Sequence, residues 1–333
     1  MTIKLGINGF GRIGRTILRA LNESDRADLQ VVAINDVAPA ATLAHLFEYD
    51  SQHGRYRDGV KLTDYGMDVG FGPMRMSTLP DPAELLWHDV DIAIECTGHF
   101  THPDSALRHL ENGSKRVLLS APAKGRARTV VFGVNEATIR AQDLLVSNAS
   151  CTTNCLGPVV QVLHTAFGVK RGMMTTVHCY TGNQPIQDAP HADLYRARAA
   201  ALSMIPTTSG AAEALGEILP ELAGRITGQA IRVPVANVSC IDLSVEVEAD
   251  VDVRDVNALF ETAERGTLRG ILSTTPEKLV SSDFRGDPHS AVIASDQTRV
   301  QNGSWIRVLA WYDNEWGFSN RLLDTARRMG ALI

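Results

Sequence analysis

The sequence has few cysteines, and they are not spaced like those of a disulfide framework or a zinc site. Five cysteines, an odd number, are scattered through 333 residues. Small secreted proteins that depend on disulfides have a denser and usually even set. No second pair of cysteines or histidines with zinc-ligand spacing accompanies them. We therefore expect a reduced, cytoplasmic protein without a metal site.

Basic runs and long apolar runs are also missing. The formal net charge is -6, and no basic stripe stands out that would favour nucleic acid or an anionic membrane surface. No uninterrupted apolar stretch approaches the roughly 20 residues that span a bilayer, and no signal-peptide pattern is expected at the amino terminus. The expected partners are therefore small molecules rather than nucleic acid or membranes.

A glycine-rich turn near the amino terminus predicts a dinucleotide site. Gly9, Gly11 and Gly14 have the spacing G-x-G-x-x-G between a short apolar run and an amphipathic helix. This spacing alone also occurs in ordinary turns. A second apolar run, however, leads to Asp36 about 20 residues later, where a carboxylate can accept both hydroxyls of an adenosine ribose. It would repel a 2′-phosphate, so the expected cofactor is NAD rather than NADP.

The order of predicted elements indicates two domains. Strands and helices alternate over residues 1–150, which predicts an α/β domain with a doubly wound parallel sheet of the Rossmann type. Long strands with few helices follow over residues 151–315 and predict an α+β domain with a mainly antiparallel sheet. A closing helix within residues 316–333 is expected to return to the first domain. The strands predicted after residue 80 cover 90–96, 116–120, 130–134, 144–147, 173–180, 230–249, 291–300 and 305–312.

Cys151 is a candidate nucleophile because it falls in the first turn of a predicted helix. Asn148 or Ser150 can cap that helix. The positive end of the helix dipole and the nearby N–H donors favour the thiolate over the thiol. A free cysteine is more often a small buried apolar residue without any chemistry. That is how we interpret Cys155, which lies one turn later.

A thiolate mechanism also needs a base, and a phosphorylated substrate needs cations. Among ten histidines, His178 is the best placed, at the end of a predicted strand, although it could be an ordinary strand histidine. Arg196, Arg198 and Arg232 are candidates for binding phosphate, and each could instead form a structural ion pair. Residues 207–212 precede a helical run and could cradle an anion or form a plain turn.

Several blocks of the sequence resemble those of phosphorylating glyceraldehyde-3-phosphate dehydrogenases, and the similarity covers the whole chain. They are NGFGRIGR (8–15), SNASCTTN (147–154), TVH…YT…Q (176–184), IPTTSGAA (205–212), RVP (232–234) and WYDNEWGFSNR (311–321). The resemblance implies NAD-dependent oxidation and phosphorylation of glyceraldehyde 3-phosphate to 1,3-bisphosphoglycerate. It also implies a homotetramer, with residues 180–204 at a subunit interface.

The same resemblance implies roles for individual residues. Cys151 would form a thiohemiacetal and then a thioester, with His178 as base and later acid. Thr181 and Arg232 would bind the phosphate of the substrate. The attacking inorganic phosphate would be bound by Ser150, Thr152, Arg196, Ser209 and Gly210. Besides the glycine turn and Asp36, the residues implied to bind NAD are Arg12, Ile13, Thr97, Ser120 and Asn314.

A few positions depart from the family pattern, and none of them is the nucleophile or the base. Cys179 replaces a usual alanine, and Glu213 stands where lysine is frequent, only a few residues from the implied phosphate loop. Ser209 replaces a common threonine but keeps the hydroxyl. Asn183 and Phe318 differ from the residues that are frequent at their positions.

Two other functions are weighed against this one. Erythrose-4-phosphate dehydrogenase is a relative that also uses a cysteine and NAD but lets water resolve the thioester. The loop PTTSGAAEALG, residues 206–216, favours the phosphorylating enzyme. A non-catalytic binding or regulatory protein could share the fold, since fold alone does not determine function. The presence of Cys151 with His178 counts against that alternative.

Overall fold

The chain forms two units, each built around its own sheet. The computed structural model describes residues 2–333, so Met1 of the predicted first domain lies outside the described residues. The first unit contains residues up to Phe132 together with Glu136–Ser150 and Ser319–Ile333. The second contains Gly133–Asn135 and Cys151–Phe318. Within residues 2–333, no helix has the length and apolar character needed to cross a membrane.

Short strands and helices alternate along the first unit. In chain order they are β1 (Ile3–Asn8), α1 (Arg12–Asn22), β2 (Leu29–Asn35), α2 (Ala40–Glu48), β3 (Tyr49–Asp50), β4 (Gly54–Arg55), β5 (Lys61–Thr63), β6 (Gly66–Asp68), β7 (Pro73–Ser77), β8 (Ile92–Glu95), α3 (Pro103–Ala106), β9 (Arg116–Leu119), β10 (Arg128–Thr129) and β11 (Leu145–Ser147). The main sheet has the order β10-β11-β9-β8-β1-β2-β7-β6-β5. All pairs from β10 to β7 are parallel, which confirms the predicted doubly wound sheet.

The strand order of this sheet reverses at β1. The next strand in sequence, β2, pairs with one side of β1, whereas β8 pairs with the other side. Doubly wound sheets bind ligands at the carboxyl ends of the strands beside such a reversal. Leu5, Ile7, Ile34, Ile92 and Ile94 are fully buried, as expected for strands covered on both faces. The glycine turn, which follows the carboxyl end of β1, therefore lies where doubly wound sheets bind their ligands.

Longer strands dominate the second unit. Its elements are α4 (Cys151–Phe167), β12 (Val169–Cys179), β13 (Ile205–Thr208), α5 (Ala211–Ile218), β14 (Ile226–Val233), β15 (Ser239–Val247), α6 (Val253–Arg265), β16 (Leu272–Thr275), β17 (Ala291–Ala294), β18 (Arg299–Gln301) and β19 (Trp305–Tyr312), and the last helix, α7 (Trp316–Gly330), begins here and continues in the first unit. The sheet has the order β13-β14-β12-β15-β19-β17-β16, with β18 beside β19. Only the β12–β14 and β16–β17 pairs are parallel, so the predicted mainly antiparallel sheet is confirmed.

Three predicted strands are broken or missing. The apolar run over 230–249 is divided between β14 and β15, because Pro234 has no N–H to donate and Val238 has a φ of 69°. The run over 291–300 is interrupted by a helical turn at Ser295–Gln297. Residues 130–134 form no strand, although Val130 and Val131 are buried. A short apolar run thus predicts burial more securely than strand structure.

Candidate active site

The turn after β1 requires glycine at two positions. Gly9 has a φ of 90°, and a Cβ placed there would lie 2.6 Å from the backbone nitrogen of Thr97. A Cβ on Gly14 would collide with the carbonyl oxygen of Gly9. Because neither position has a Cβ, the carboxyl ends of β1 and β8 can approach closely and α1 can pack against the turn. The predicted dinucleotide fingerprint therefore has the tight geometry that its spacing implies.

Asp36 is held by backbone donors beside this turn. Its carboxylate accepts the N–H of Phe10 at 2.7 Å and the N–H of Ala38 at 2.9 Å. Each oxygen of an ionised carboxylate can accept a further hydrogen bond, so ribose hydroxyls can still be accommodated. A cavity of about 430 Å³ opens next to it, and its lining includes Gly9, Gly11, Asp36, Cys96, Thr97 and Phe100. This donor and acceptor set fits the adenosine half of NAD.

The other residues implied to bind NAD in this unit are fixed by their own partners. Thr97 donates both its N–H, at 2.8 Å, and its hydroxyl to the buried carboxylate of Glu95. Ser120 donates its hydroxyl to the carbonyl oxygen of Glu95 at 2.9 Å. Arg12 forms an ion pair with Asp50 at 2.5 Å, and Ile13 is partly buried in α1. Glu95, which sequence reasoning missed, therefore holds Thr97 and Ser120 in place and is not itself a lining residue of the cavity.

The ion pair with Arg12 also helps to keep Asp50 ionised. Burial alone would raise the pKa of this carboxyl group, but hydrogen bonds from the N–H of His53 and from Arg12 lower it to about 2. Asp50 is therefore ionised at neutral pH and orients the guanidinium beside the glycine turn.

In the second unit, Cys151 and His178 form a close pair. Cys151 begins α4, and its Sγ lies 3.5 Å from Nε2 of His178, which is near the end of β12. Cys151 is partly exposed, whereas only 4% of His178 is exposed. The predicted nucleophile and base are thus brought together from positions 27 residues apart. This is the spacing expected of a nucleophile with its general base before a substrate binds.

Arg232 completes this group. It pairs with His178 across the parallel β12–β14 ladder. Its Nη1 lies 2.9 Å from Nδ1 of His178 and donates to the carbonyl oxygen of Cys179, also at 2.9 Å. The same carbonyl oxygen lies 2.7 Å from Nδ1 of His178. With the Nδ1 proton donated to this carbonyl, Nε2 keeps a lone pair that faces the sulfur of Cys151.

The pKa of Cys151 is raised above its ordinary value, whereas the helix start predicts that it is lowered. Burial raises the pKa of the thiol, whereas Arg232 and hydrogen bonds from Thr152 act in the opposite direction. A position at a helix start contributes only effects that lower the pKa. Burial and the charge of Arg232 also lower the pKa of His178 to about 3. At neutral pH the pair therefore consists of a thiol and a neutral imidazole that is ready to accept its proton.

Tyr312 supports this pair and was missed by sequence reasoning. Its buried hydroxyl lies 2.8 Å from that of Thr152 and 2.9 Å from that of Thr176. Its ring meets the imidazole of His178 edge to face, with the centroids 6.0 Å apart. The hydroxyl of Thr152 is therefore engaged inside the protein. The sequence signals for Tyr312 are its position at the end of an alternating strand and its place in the block 311–321.

The implied phosphate ligands outside this cluster lie on two loops. Arg196 donates to the hydroxyl of Thr207 at 2.9 Å, and Asp193 lies 3.5 Å from the same guanidinium. Ser209 and Gly210 follow directly and precede the first turn of α5. These contacts bring Arg196 to the loop that carries the hydroxyls.

The remaining candidates have local partners. Thr181 donates its hydroxyl to Asn183 at 2.7 Å, and Ser150 immediately precedes α4. Arg198 forms an exposed ion pair with Asp188 at 2.9 Å, which favours its structural interpretation. Cys155 is fully buried in α4, as its interpretation as a packing residue requires.

Comparison with known proteins gives the family. Residues 3–103 match the model of the glyceraldehyde 3-phosphate dehydrogenase NAD binding domain, and residues 150–314 match that of the C-terminal domain. Over the full length of both chains, the sequence is 58% identical to a glyceraldehyde-3-phosphate dehydrogenase of Cereibacter sphaeroides and 54% identical to one of Xanthobacter flavus. It is 49% identical to that of Geobacillus stearothermophilus over 98% of each chain. The chain therefore belongs to the glyceraldehyde 3-phosphate dehydrogenase family.

Proposed function

We propose that this protein oxidises glyceraldehyde 3-phosphate with NAD and inorganic phosphate, giving 1,3-bisphosphoglycerate reversibly. The observation that carries the proposal is the pair of Cys151 and His178, with Arg232 beside it, in a chain of this family. A partly exposed sulfur faces the lone pair of an imidazole, and the partly buried guanidinium of Arg232 lies beside the imidazole. Such a site suits addition of the sulfur to a carbonyl carbon next to an anionic group.

The residues of the site account for the proton movements. As Sγ of Cys151 bonds to the aldehyde carbon, His178 accepts the thiol proton at Nε2 and passes it to the carbonyl oxygen, which gives a thiohemiacetal. Nε2 then takes the hydroxyl proton as hydride leaves the carbon, and an acyl thioester remains on Cys151. NAD, when bound, supplies the hydride acceptor.

Inorganic phosphate completes the reaction. A phosphate oxygen bonds to the thioester carbon, the carbon–sulfur bond breaks, and the proton held by His178 returns to the sulfur of Cys151. We propose that Arg232 and Thr181 bind the phosphate of the substrate. The residues proposed to hold the attacking phosphate are Ser150, Thr152, Arg196, Ser209 and Gly210. Oriented cations and hydroxyls reduce the repulsion between the two anions.

Initial rates with two aldehydes test the proposal against its nearest alternative. NADH formation is measured with glyceraldehyde 3-phosphate and with erythrose 4-phosphate, each with and without inorganic phosphate. We expect fast turnover of the triose that depends on phosphate. If the rate is independent of phosphate and the tetrose reacts faster, the protein is an erythrose-4-phosphate dehydrogenase instead.

Glu213 is expected to weaken the binding of inorganic phosphate. Its exposed carboxylate lies in the first turn of α5, three residues after Gly210. Removing one nearby negative charge lowers the free energy of the bound anion, so Glu213→Gln should decrease the KM for phosphate about 2- to 5-fold. Glu217→Gln, one turn further along α5, is the matched control. An unchanged KM in the Glu213 variant would place the phosphate away from this loop.

We further propose a homotetramer that forms through the segment 180–204. Ile186, Leu194, Leu202 and Met204 each expose more than 70% of their surface, a density of exposed apolar side chains typical of an interface. The resemblance to the family implies a subunit interface at the same segment. The proposed location is the cytoplasm, because all five cysteines are free thiols.

Two charges introduced in this segment should dissociate the assembly. Burying a leucine or methionine stabilises an interface by about 1.5–3 kcal/mol, and a buried unpaired carboxylate opposes association further. The variant Leu194→Glu/Met204→Glu should therefore have a smaller mass than the wild type in size-exclusion chromatography with light scattering. Leu86→Glu, at a residue of the first unit that is 76% exposed, is the control. A tetramer that survives the double change would contradict this interface.

A further inference from the structure

The backbone around Asn314 is fixed by its neighbour Asp313. One oxygen of this buried carboxylate accepts the N–H groups of Glu315, at 2.9 Å, and of Trp316, at 2.8 Å. The other accepts from Asn237 Nδ2 at 3.1 Å and from the N–H of Gly286 at 2.8 Å. Four donors on one carboxylate hold the turn between β19 and α7. The position of Asn314 therefore does not depend on its own side chain.

The amide group of Asn314 is fixed separately, at the ends of three neighbouring strands. Its Oδ1 accepts the thiol hydrogen of Cys179, at the end of β12, and the hydroxyl hydrogen of Ser239, at the start of β15, both at 3.2 Å. Cys179 and Ser239 are buried, and Asn314 is only 6% exposed. Two donors therefore converge on a single oxygen of a buried amide.

The chemistry of these donors determines which way the amide faces. The hydroxyl oxygen of Ser239 already accepts the N–H of Cys179 at 3.1 Å, which leaves its hydrogen to be donated. Burial raises the pKa of the Cys179 thiol to about 12, so it keeps the proton that it donates. A sulfur atom is a poor acceptor for an amide N–H. Rotating the amide of Asn314 by half a turn would point its N–H groups at both donors. The hydrogens of the Ser239 hydroxyl and of the Cys179 thiol would then lose their acceptor.

This orientation leaves the amide nitrogen of Asn314 available. Within residues 2–333, Nδ2 has no hydrogen bond partner. Nδ2 is not among the fully enclosed side-chain atoms that lack a partner, so an acceptor from outside the protein can reach it. An acceptor of matching chemistry is a neutral carbonyl oxygen, such as that of a carboxamide.

We propose that Cys179 and Ser239 are positioning residues that orient Asn314, so that its Nδ2 donates to the carboxamide oxygen of the nicotinamide ring. The inference rests on the proposed function, since it takes the ligand to be NAD. The two residues act through Asn314 and contact no reacting atom. Ser239 contributes more to the orientation of the Asn314 amide than Cys179 does, because a hydroxyl is a stronger donor than a thiol.

Binding measurements with two ligands test this orientation. Isothermal titration calorimetry compares NAD with ADP-ribose, which lacks the nicotinamide ring, on the full-length wild type and on four variants. The variants are Cys179→Ala, Cys179→Ser, Ser239→Ala and the double alanine change. We expect the Kd for NAD to rise about 2- to 3-fold for Cys179→Ala and about 10-fold for the double variant, whereas the Kd for ADP-ribose stays constant. Cys179→Ser, which restores a donor, should bind NAD like the wild type.

Two outcomes would overturn the proposal. If the Kd values for NAD and ADP-ribose rise together, the substitutions act on packing and not on the amide orientation. If the double variant binds NAD as tightly as the wild type, the two donors do not position Asn314. The rate assays of the wild type are independent of this test. If the variants lose NAD affinity selectively and the wild type does not oxidise the triose, the proposed function is wrong and the positioning role still holds.

Discussion

The variant His178→Asn is expected to reduce kcat for triose oxidation by about 100- to 10,000-fold, the range typical for loss of a general base. Nε2 is the basic atom that faces the sulfur of Cys151, at 3.5 Å. An asparagine amide at this position has no comparable basicity. It can still donate to the carbonyl oxygen of Cys179, which now lies 2.7 Å from Nδ1. The fold should therefore survive, with a Tm within about 3 °C of the wild type.

Alkylation measures the reactivity of the Cys151 thiol and its dependence on His178 without the rest of the reaction. Iodoacetamide should modify Cys151 faster than any other cysteine, because Cys155, Cys179 and Cys240 are buried and burial raises the pKa of the Cys96 thiol to about 12. In His178→Asn this rate should fall, since the proton acceptor for the thiol is missing. His88→Asn, at an exposed residue of the first unit, is the matched control and should change neither rate. A His178 variant with kcat within tenfold of the wild type would exclude His178 as the base.

Local patterns predicted the fold class and the tight glycine turn after β1. The spacing of Gly9, Gly11 and Gly14 encodes a turn whose tightness depends mainly on the absence of Cβ atoms, which a sequence displays directly. Asp36 follows the next apolar run at the spacing that the parallel β1–β2 pair imposes. Such features depend on neighbours in the chain or on adjacent strands. They could therefore be predicted without knowledge of the rest of the fold.

The environment of Cys151 and His178 depends on contacts that are distant in sequence. Arg232 reaches His178 only through the register of β12 with β14, across 54 residues. Tyr312 reaches Thr152 across 160 residues. The pKa of Cys151 depends on the burial that these partners create, and the helix start alone predicts the opposite direction. Pairing registers between distant strands are not encoded in a local pattern, so these features required the structure.

Arg232→Gln is expected to produce the second largest loss, in two separable ways. Loss of charge-assisted hydrogen bonds to the phosphate of the substrate, each about 1.5–3 kcal/mol, should raise the KM for glyceraldehyde 3-phosphate by about 10- to 100-fold. The positive charge also lowers the pKa of Cys151. Without it that pKa rises, so a smaller fraction of the thiol is ionised at a given pH, and the profile of alkylation against pH should move to higher pH.

Iodoacetamide isolates the second effect of Arg232, because this reagent carries no phosphate. At pH 7.5 the alkylation rate of Cys151 should fall up to about tenfold, which corresponds to a pKa change of about one unit. His178 does not compensate: the loss of the charge raises its pKa from about 3, but burial, the larger cause of the lowering, persists and keeps it neutral at this pH. Arg198→Gln, which removes an exposed arginine paired with Asp188, is the matched control. If Arg232→Gln raises the KM but leaves the alkylation profile unchanged, Arg232 binds phosphate without tuning the nucleophile. If neither changes, its contact with His178 is only structural.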